Sequence, residues 1–167
     1  MADLLILNQQ QIQQKIDRMA YQILEDNFDE EEIVIAGILP SGDIIAKRIK
    51  AILDDIAPFK STFVGIEIDK QSSSLNANIN FDLNECANKA VVLVDDVLNS
   101  GRTLGYGFGV FLDVPLKKLR TAVLIDRNHK KFPMTTDFAG MALSTVLKEF
   151  VDVVLDEEGK EDGVYLR

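Results

Sequence analysis

Four consecutive apolar residues, Val91-Val92-Leu93-Val94, run into two acids, Asp95-Asp96, and then into Val97-Leu98-Asn99-Ser100-Gly101-Arg102-Thr103. An unbroken apolar run of this kind suits a parallel strand with sheet neighbours on each side and helices on both faces. The two carboxylates stand where that strand should end. A short loop of small and polar residues follows, and a helix can start near Arg102. In an open α/β sheet, ligands gather outside the carboxyl ends of the strands. A loop entering a helix there aims several backbone N–H groups outward, which suits a phosphate. Two acids beside a phosphate site suit sugar hydroxyls or a magnesium ion. The stretch reads as the binding site, and the rest of the chain as what positions it.

The flanking sequence alternates strand and helix signals. Residues 8–26 carry Ile12, Ile16, Met19, Ala20, Ile23 and Leu24 at three- and four-residue spacing, one apolar stripe of an amphipathic helix. Asn8 is placed to cap it, with Gln11 three residues on as a capping-box partner. Ile33–Ile38 reads as a buried strand, broken by Leu39-Pro40-Ser41-Gly42-Asp43 and followed by a helix with Ile45, Ile49, Ile52, Leu53 and Ile56 on one face. In that βα unit Ser41 and Gly42 can offer backbone amides to an anion. Phe63–Ile68 reads as a further strand, and the polar segment from Asp69 to Asn80 as a mobile excursion with little apolar surface to order it. After Arg102, Gly105, Gly107 and Gly109 each cost about 1 kcal/mol relative to Ala, so a short or irregular helix is expected to Asp113, tolerated where close packing needs it. Leu119–Ile125 reads as another buried strand, ending at Asp126-Arg127. Val151–Leu155 and Gly163–Leu166 read as a terminal hairpin across an acidic turn. The alternation predicts an α/β fold: a doubly wound, mostly parallel sheet flanked by helices, with the site along its carboxyl edge.

Composition narrows the function. At 167 residues, 47% of them hydrophobic and 27% charged, the chain suits one domain over residues 1–167 with a sizeable core. No apolar run approaches the ~20 residues of a membrane span, and the first residues lack the pattern of a signal peptide. The lone Cys86 provides neither an internal disulfide nor a metal cluster. A cytoplasmic protein without membrane partners is the expectation. The net charge of −9 disfavours nucleic acid, whose binding relies on clustered Lys and Arg.

The order of strand, paired acids and Ser-Gly-Arg-Thr loop in residues 91–103 resembles the 5-phosphoribosyl-1-diphosphate (PRPP) fingerprint of type I phosphoribosyltransferases. Ala122–His129, Phe132-Pro133, Asp137–Gly140 and Glu161–Tyr165 widen the likeness to the bifunctional pyrimidine operon regulator and uracil phosphoribosyltransferase family. The resemblance implies that fold with a small hood, a homodimer, a magnesium cofactor, and transfer of ribose 5-phosphate from PRPP to a base, with uracil favoured, releasing pyrophosphate. It places the 5-phosphate on Asn99, Ser100, Gly101, Arg102 and Thr103. Asp95 and Asp96 become the catalytic acids, on the ribose hydroxyls directly or beside magnesium. Ser41 and Gly42 meet the pyrophosphate, joined by Lys70 from the lid. Phe138, Ala139 and Gly140 contact the base, whose edge Asp126 or Arg127 reads.

The chain departs from the resembled pattern in two places. The loop at Pro40-Ser41 has no Lys or Arg, and Asp69-Lys70-Gln71 stands where relatives carry an arginine followed by acids. The alternative reading is an RNA-binding regulator of pyrimidine genes that senses PRPP or UMP with little turnover. It requires a basic face that the overall charge disfavours.

Overall fold

The computed structural model describes residues 3–69, 77–144 and 149–167. Asn8 starts the first helix as its sequence predicts. Its side chain accepts from the Gln11 N–H while the Gln11 side chain accepts from the Asn8 N–H, both at 2.9 Å, closing the capping box. Helix α1 runs over Gln9–Asp26 and buries Ile12, Ile16, Met19, Ala20 and Ile23 completely. Each large apolar side chain removed from water in this way contributes roughly 1.5–3 kcal/mol.

Strand β2 (Glu32–Ile38), helix α2 (Ser41–Ile56), strand β3 (Lys60–Ile68), strand β5 (Ala90–Leu98), helix α3 (Arg102–Val110), strand β6 (Lys118–Asp126) and strand β7 (Phe138–Ala142) build the main layer, with β4 (Ala77–Ile79) at its edge. The sheet order is β4-β3-β2-β5-β6-β7; every pairing is parallel except that of β4. α1 and α2 pack on one face over Ile35, Val92, Val94 and Leu124. α3 covers the other, over Val34, Ala36, Leu93 and Val123. This is the doubly wound sheet expected from the strand–helix alternation. Among the described residues no helix is long and apolar enough to cross a membrane.

Two local expectations are corrected. β5 does not stop before the acids. It continues to Leu98, because β6 offers a ladder that far: Asp95 pairs with Val123, Val97 with Ile125 and Leu98 with Asp126. The carboxylates therefore stand within the last four residues of the strand. The polar segment after Asp69 includes β4, whose Ala77–Ile79 pair with Ile66–Ile68; residues 70–76 lie outside the described part. Strand β1 (Leu4–Asn8) precedes α1 and pairs with the far end of the chain.

α3 is short, as its glycines predict, and packing explains one of them. A Cβ at Gly107 would lie 3.1 Å from both Ile38 Cδ1 and Leu93 Cδ2, so the bare backbone lets α3 settle onto the sheet. At Gly109 an added Cβ meets nothing within 4 Å.

The hairpin of β8 (Val151–Val154) and β9 (Gly163–Leu166) forms as expected and joins β1 in a small antiparallel sheet of order β1-β9-β8. This is the hood. Its turn is clamped to α2 by Arg48, whose two terminal nitrogens each lie 2.7 Å from a carboxylate, Asp156 on one side and Asp162 on the other. Asp156 adopts φ 53°, and its N–H donates to Asp162 at 3.0 Å. Burial alone would push the Asp162 carboxyl up, but hydrogen bonds from Arg48 and from the Asp156 N–H outweigh it and hold the group below its ordinary value.

A carboxyl depressed on folding contributes stability that is complete above its unfolded value of about 3.9. That contribution disappears as pH falls through the lower folded value. Asp162→Asn is expected to lower the thermal midpoint near neutral pH by about 2–4 °C, with the difference from wild type shrinking towards zero in acid. Melting curves from about pH 7 to about pH 2 check this; a difference constant with pH contradicts it.

Candidate active site

Two helix N-termini and one strand end converge at the carboxyl edge of the main sheet. β5 carries Asp95 and Asp96 to that edge. Asp95 is 4% exposed and its Oδ1 accepts from the Asp96 N–H at 2.8 Å; Asp96 Oδ1 accepts in turn from the Val97 N–H at 2.7 Å. Local backbone donors thus fix both carboxylates before any ligand arrives.

The loop from Asn99 to Gly101 then enters α3. Gly101 is the N-cap at φ 90°, a left-handed conformation that a side chain strains, and an added Cβ would sit 3.2 Å from Met134 Cβ and from the Phe132 carbonyl. The Ser100 carbonyl accepts from the N–H groups of Lys131 and Phe132, and Ser100 Oγ accepts from the Arg102 N–H. The first amides of a helix have no intrahelical acceptor, and Gly101 carries no capping side chain. Thr103 and Leu104 thereby present N–H groups at the positive end of the α3 dipole, a place suited to phosphate.

α2 brings the second N-terminus. Pro40 caps it without a side-chain hydrogen bond, after a cis Leu39–Pro40 peptide. A Cβ on Gly42 would lie 2.6 Å from the Val94 carbonyl and 2.8 Å from the Asp95 Cα. Only glycine lets the first turn of α2 press against β5 so closely, and that contact sets Ser41 and Gly42 beside Asp95. The sequence expectations at Ser41, Gly42, Asp95, Asp96, Asn99, Ser100, Gly101, Arg102 and Thr103 are brought together in one place. Lys70 lies outside the described residues.

The base-contact expectations fare differently. Phe138 pairs with Ala122 and Ala142 with Asp126, so Phe138 lies four residues, about 13 Å, short of the carboxyl edge. It is 8% exposed and packs in the core with α1. Arg18 of α1 donates to the carbonyls of both Ala139 and Gly140. Phe138, Ala139 and Gly140 thus lie in an edge strand packed under α1. Arg127 is also committed elsewhere: it is 7% exposed, with Nη1 3.0 Å from Asn99 Oδ1 and Nη2 2.7 Å from the Glu149 carbonyl. Asp126 stays at the edge beside Leu98, its Oδ1 accepting from the Asn128 N–H at 3.0 Å.

Sequence reasoning missed the residues that face the loop from the hood. A pocket of about 190 Å³ is lined by Asp95–Gly101, Thr103 and Leu104 and closed by Phe150 and Val151. Phe150 is 58% exposed, an aromatic ring held at the mouth by paired backbone bonds to Arg167 at 2.8 Å. Its signal in the sequence was a large aromatic directly before an apolar strand, which reads equally as a strand end. This volume lies below the roughly 300–1,000 Å³ of small-molecule sites, enough for a ribose phosphate alone; a larger ligand must extend towards α2 and Phe150. A larger groove of about 510 Å³ beside α3 shares Gly101 and Arg102 but is walled mainly by Tyr106, Phe132, Pro133 and Met134. It lacks the carboxylates and is not the site.

A phosphoribosyl transferase domain model matches residues 5–157. The chain belongs to the phosphoribosyltransferase family. Two relatives called bifunctional protein PyrR match this phosphoribosyltransferase along its length. That of Fusobacterium nucleatum is 35% identical and covers 97% of each chain; that of Macrococcus caseolyticus is 31% identical and covers 98% of each. Among solved structures, the hypoxanthine phosphoribosyltransferase of Trypanosoma cruzi aligns with a TM-score of 0.78 at 19% identity, over 98% of this chain and 91% of that one. A Bacillus anthracis hypoxanthine-guanine enzyme gives 0.74 at 21%, over 96% and 95%. These structures share the fold. The family acts on PRPP and a nucleobase and generally uses magnesium.

The donor set fits such an ion in one respect. Among the described residues no cluster of three or more His, Cys, Asp or Glu is arranged to hold a metal. Asp95 and Asp96 offer hard oxygen donors, the chemistry of a magnesium that takes most of its oxygens from substrate and water.

Proposed function

We propose that this phosphoribosyltransferase transfers ribose 5-phosphate from PRPP to uracil and releases pyrophosphate. The observation that carries the reading is the meeting of the α3 N-terminus, the Asp95-Asp96 pair and the α2 N-terminus at one edge. That order matches a phosphate, a sugar diol and a pyrophosphate along one substrate. In this reading the amides and hydroxyls of Asn99 to Thr103 hold the 5-phosphate, and the carboxylates of Asp95 and Asp96 accept from the ribose hydroxyls. Ser41 and Gly42 donate backbone N–H groups to the pyrophosphate. Asp126 and Phe150 border the base.

Bound magnesium would neutralise charge building on the departing pyrophosphate. The chain itself supplies position and field. It needs no nucleophile, because the leaving group is already activated; the positive charge developing on the ribose ring is met by the two fixed carboxylates. The turn at Pro40-Ser41 carries no cation, so in that turn pyrophosphate rests on amides and the helix dipole. Slow turnover relative to binding follows.

Uracil is favoured by the likeness to the pyrimidine regulator family and by the full-length match to PyrR proteins. The regulator reading draws less support from the surface. Lys47, Lys50, Lys89, Lys117, Lys118 and Arg120 are each paired with a carboxylate, so their charge is compensated locally. Pyrophosphate release from PRPP, measured with uracil against hypoxanthine, guanine and adenine, tests the assignment. Uracil is expected to give the highest kcat/KM; a preference for any purine overturns it.

A further inference from the structure

Among the described residues, contacts of Arg127 bridge two parts of the site, the end of β5 with its loop and the segment before Phe150. Its N–H donates to the Leu98 carbonyl at 3.1 Å, at the end of β5. One guanidinium nitrogen reaches Asn99, the first residue of the phosphate loop, and another reaches the Glu149 carbonyl, next to Phe150 at the mouth of the hood. The guanidinium is nearly buried, planar and always charged, so its fork fixes the relative position of both acceptors. We propose that Arg127 is a positioning residue that couples the phosphate loop to the Phe150 wall, so that occupancy of the phosphate end raises affinity for the base. The proposal rests on the function assigned above.

The sign follows from ordering. A phosphate held by Asn99 to Thr103 immobilises the Asn99 side chain, and with it the Arg127 fork. The fork then immobilises the Glu149 carbonyl, so the segment that faces the base is ordered before the base arrives. The second ligand meets a smaller entropic cost, and binding linkage makes the effect reciprocal. The same geometry explains why an arginine at the strand's carboxyl end, where a ligand contact is expected, has its donors turned to the chain itself.

The test uses ribose 5-phosphate, which carries the phosphate end but no leaving group, so nothing turns over. Uracil affinity is measured with and without saturating ribose 5-phosphate in wild type, in Arg127→Lys and in Asn99→Ala. A gain of about five-fold or more is expected in wild type. It falls towards unity in both variants, since lysine cannot span two acceptors and Asn99→Ala removes one. Hydrogen exchange provides an arm that does not depend on the base: ribose 5-phosphate slows exchange at residues 150–154 in wild type but not in Arg127→Lys. Equal coupling in wild type and variants, or protection confined to residues 99–104, overturns the proposal. If uracil binding fails while the exchange pattern holds, the base assignment falls and the strut stands.

Discussion

Changing Asp95 and Asp96 together to Asn is expected to lower phosphoribosyl transfer by about a hundred-fold or more, the scale of losing a fixed electrostatic partner of a transition state. The fold should survive. In each residue one carboxylate oxygen accepts from the next backbone N–H, and the Asn carbonyl oxygen can keep that bond. What the double change removes is the negative charge proposed to face the ribose ring. Circular dichroism and the thermal midpoint should stay close to wild type while PRPP affinity collapses. Unchanged PRPP affinity would refute the site, and a collapsed midpoint would move these residues from binding to architecture.

The second large effect is expected at Gly42. Its backbone is pressed against the Val94 carbonyl and the Asp95 Cα, both main-chain atoms that cannot swing aside. Gly42→Ala forces α2 away from β5, at about 1–3 kcal/mol for overpacking, and carries Ser41 away from Asp95. Stability and PRPP affinity should therefore fall together. Gly109→Ala is the control. Its Cβ meets open space, and removing a helical glycine is expected to stabilise by up to about 1 kcal/mol. Urea midpoints and PRPP titrations of the two variants check both signs; a Gly42→Ala protein as stable as wild type contradicts the close approach.

Where sequence reasoning succeeded, the information was local. The 3.6-residue stripe from Ile12 to Ile23, the Asn8–Gln11 box and the apolar runs of β2, β5 and β6 each announce themselves within a dozen residues. The loop entering α3 was legible for the same reason, because Gly101 and its neighbours follow a buried strand directly. The failures are non-local. β5 extends past its acids because β6 continues beside it, a fact held in another segment. β1 is a strand only because β9 returns to meet it from the other end of the chain.

Phe138 illustrates the limit most clearly. An aromatic beside small residues fits a base platform as well as a core edge, and only the register with Ala122 shows that it lies below the edge. The same ambiguity hid Phe150, whose exposure depends on how the hood folds over the loop. Arg127 follows β6 directly, and its guanidinium bonds to Asn99 and to the Glu149 carbonyl, contacts between segments that no local pattern announces.

A crystal structure of the protein with PRPP and magnesium tests the central claim most directly. The 5-phosphate is expected on the backbone N–H groups at the start of α3, the ribose hydroxyls on Asp95 and Asp96, and the pyrophosphate at Ser41 and Gly42. Phosphate seated away from Asn99–Thr103, or a ribose that leaves both carboxylates untouched, would contradict it.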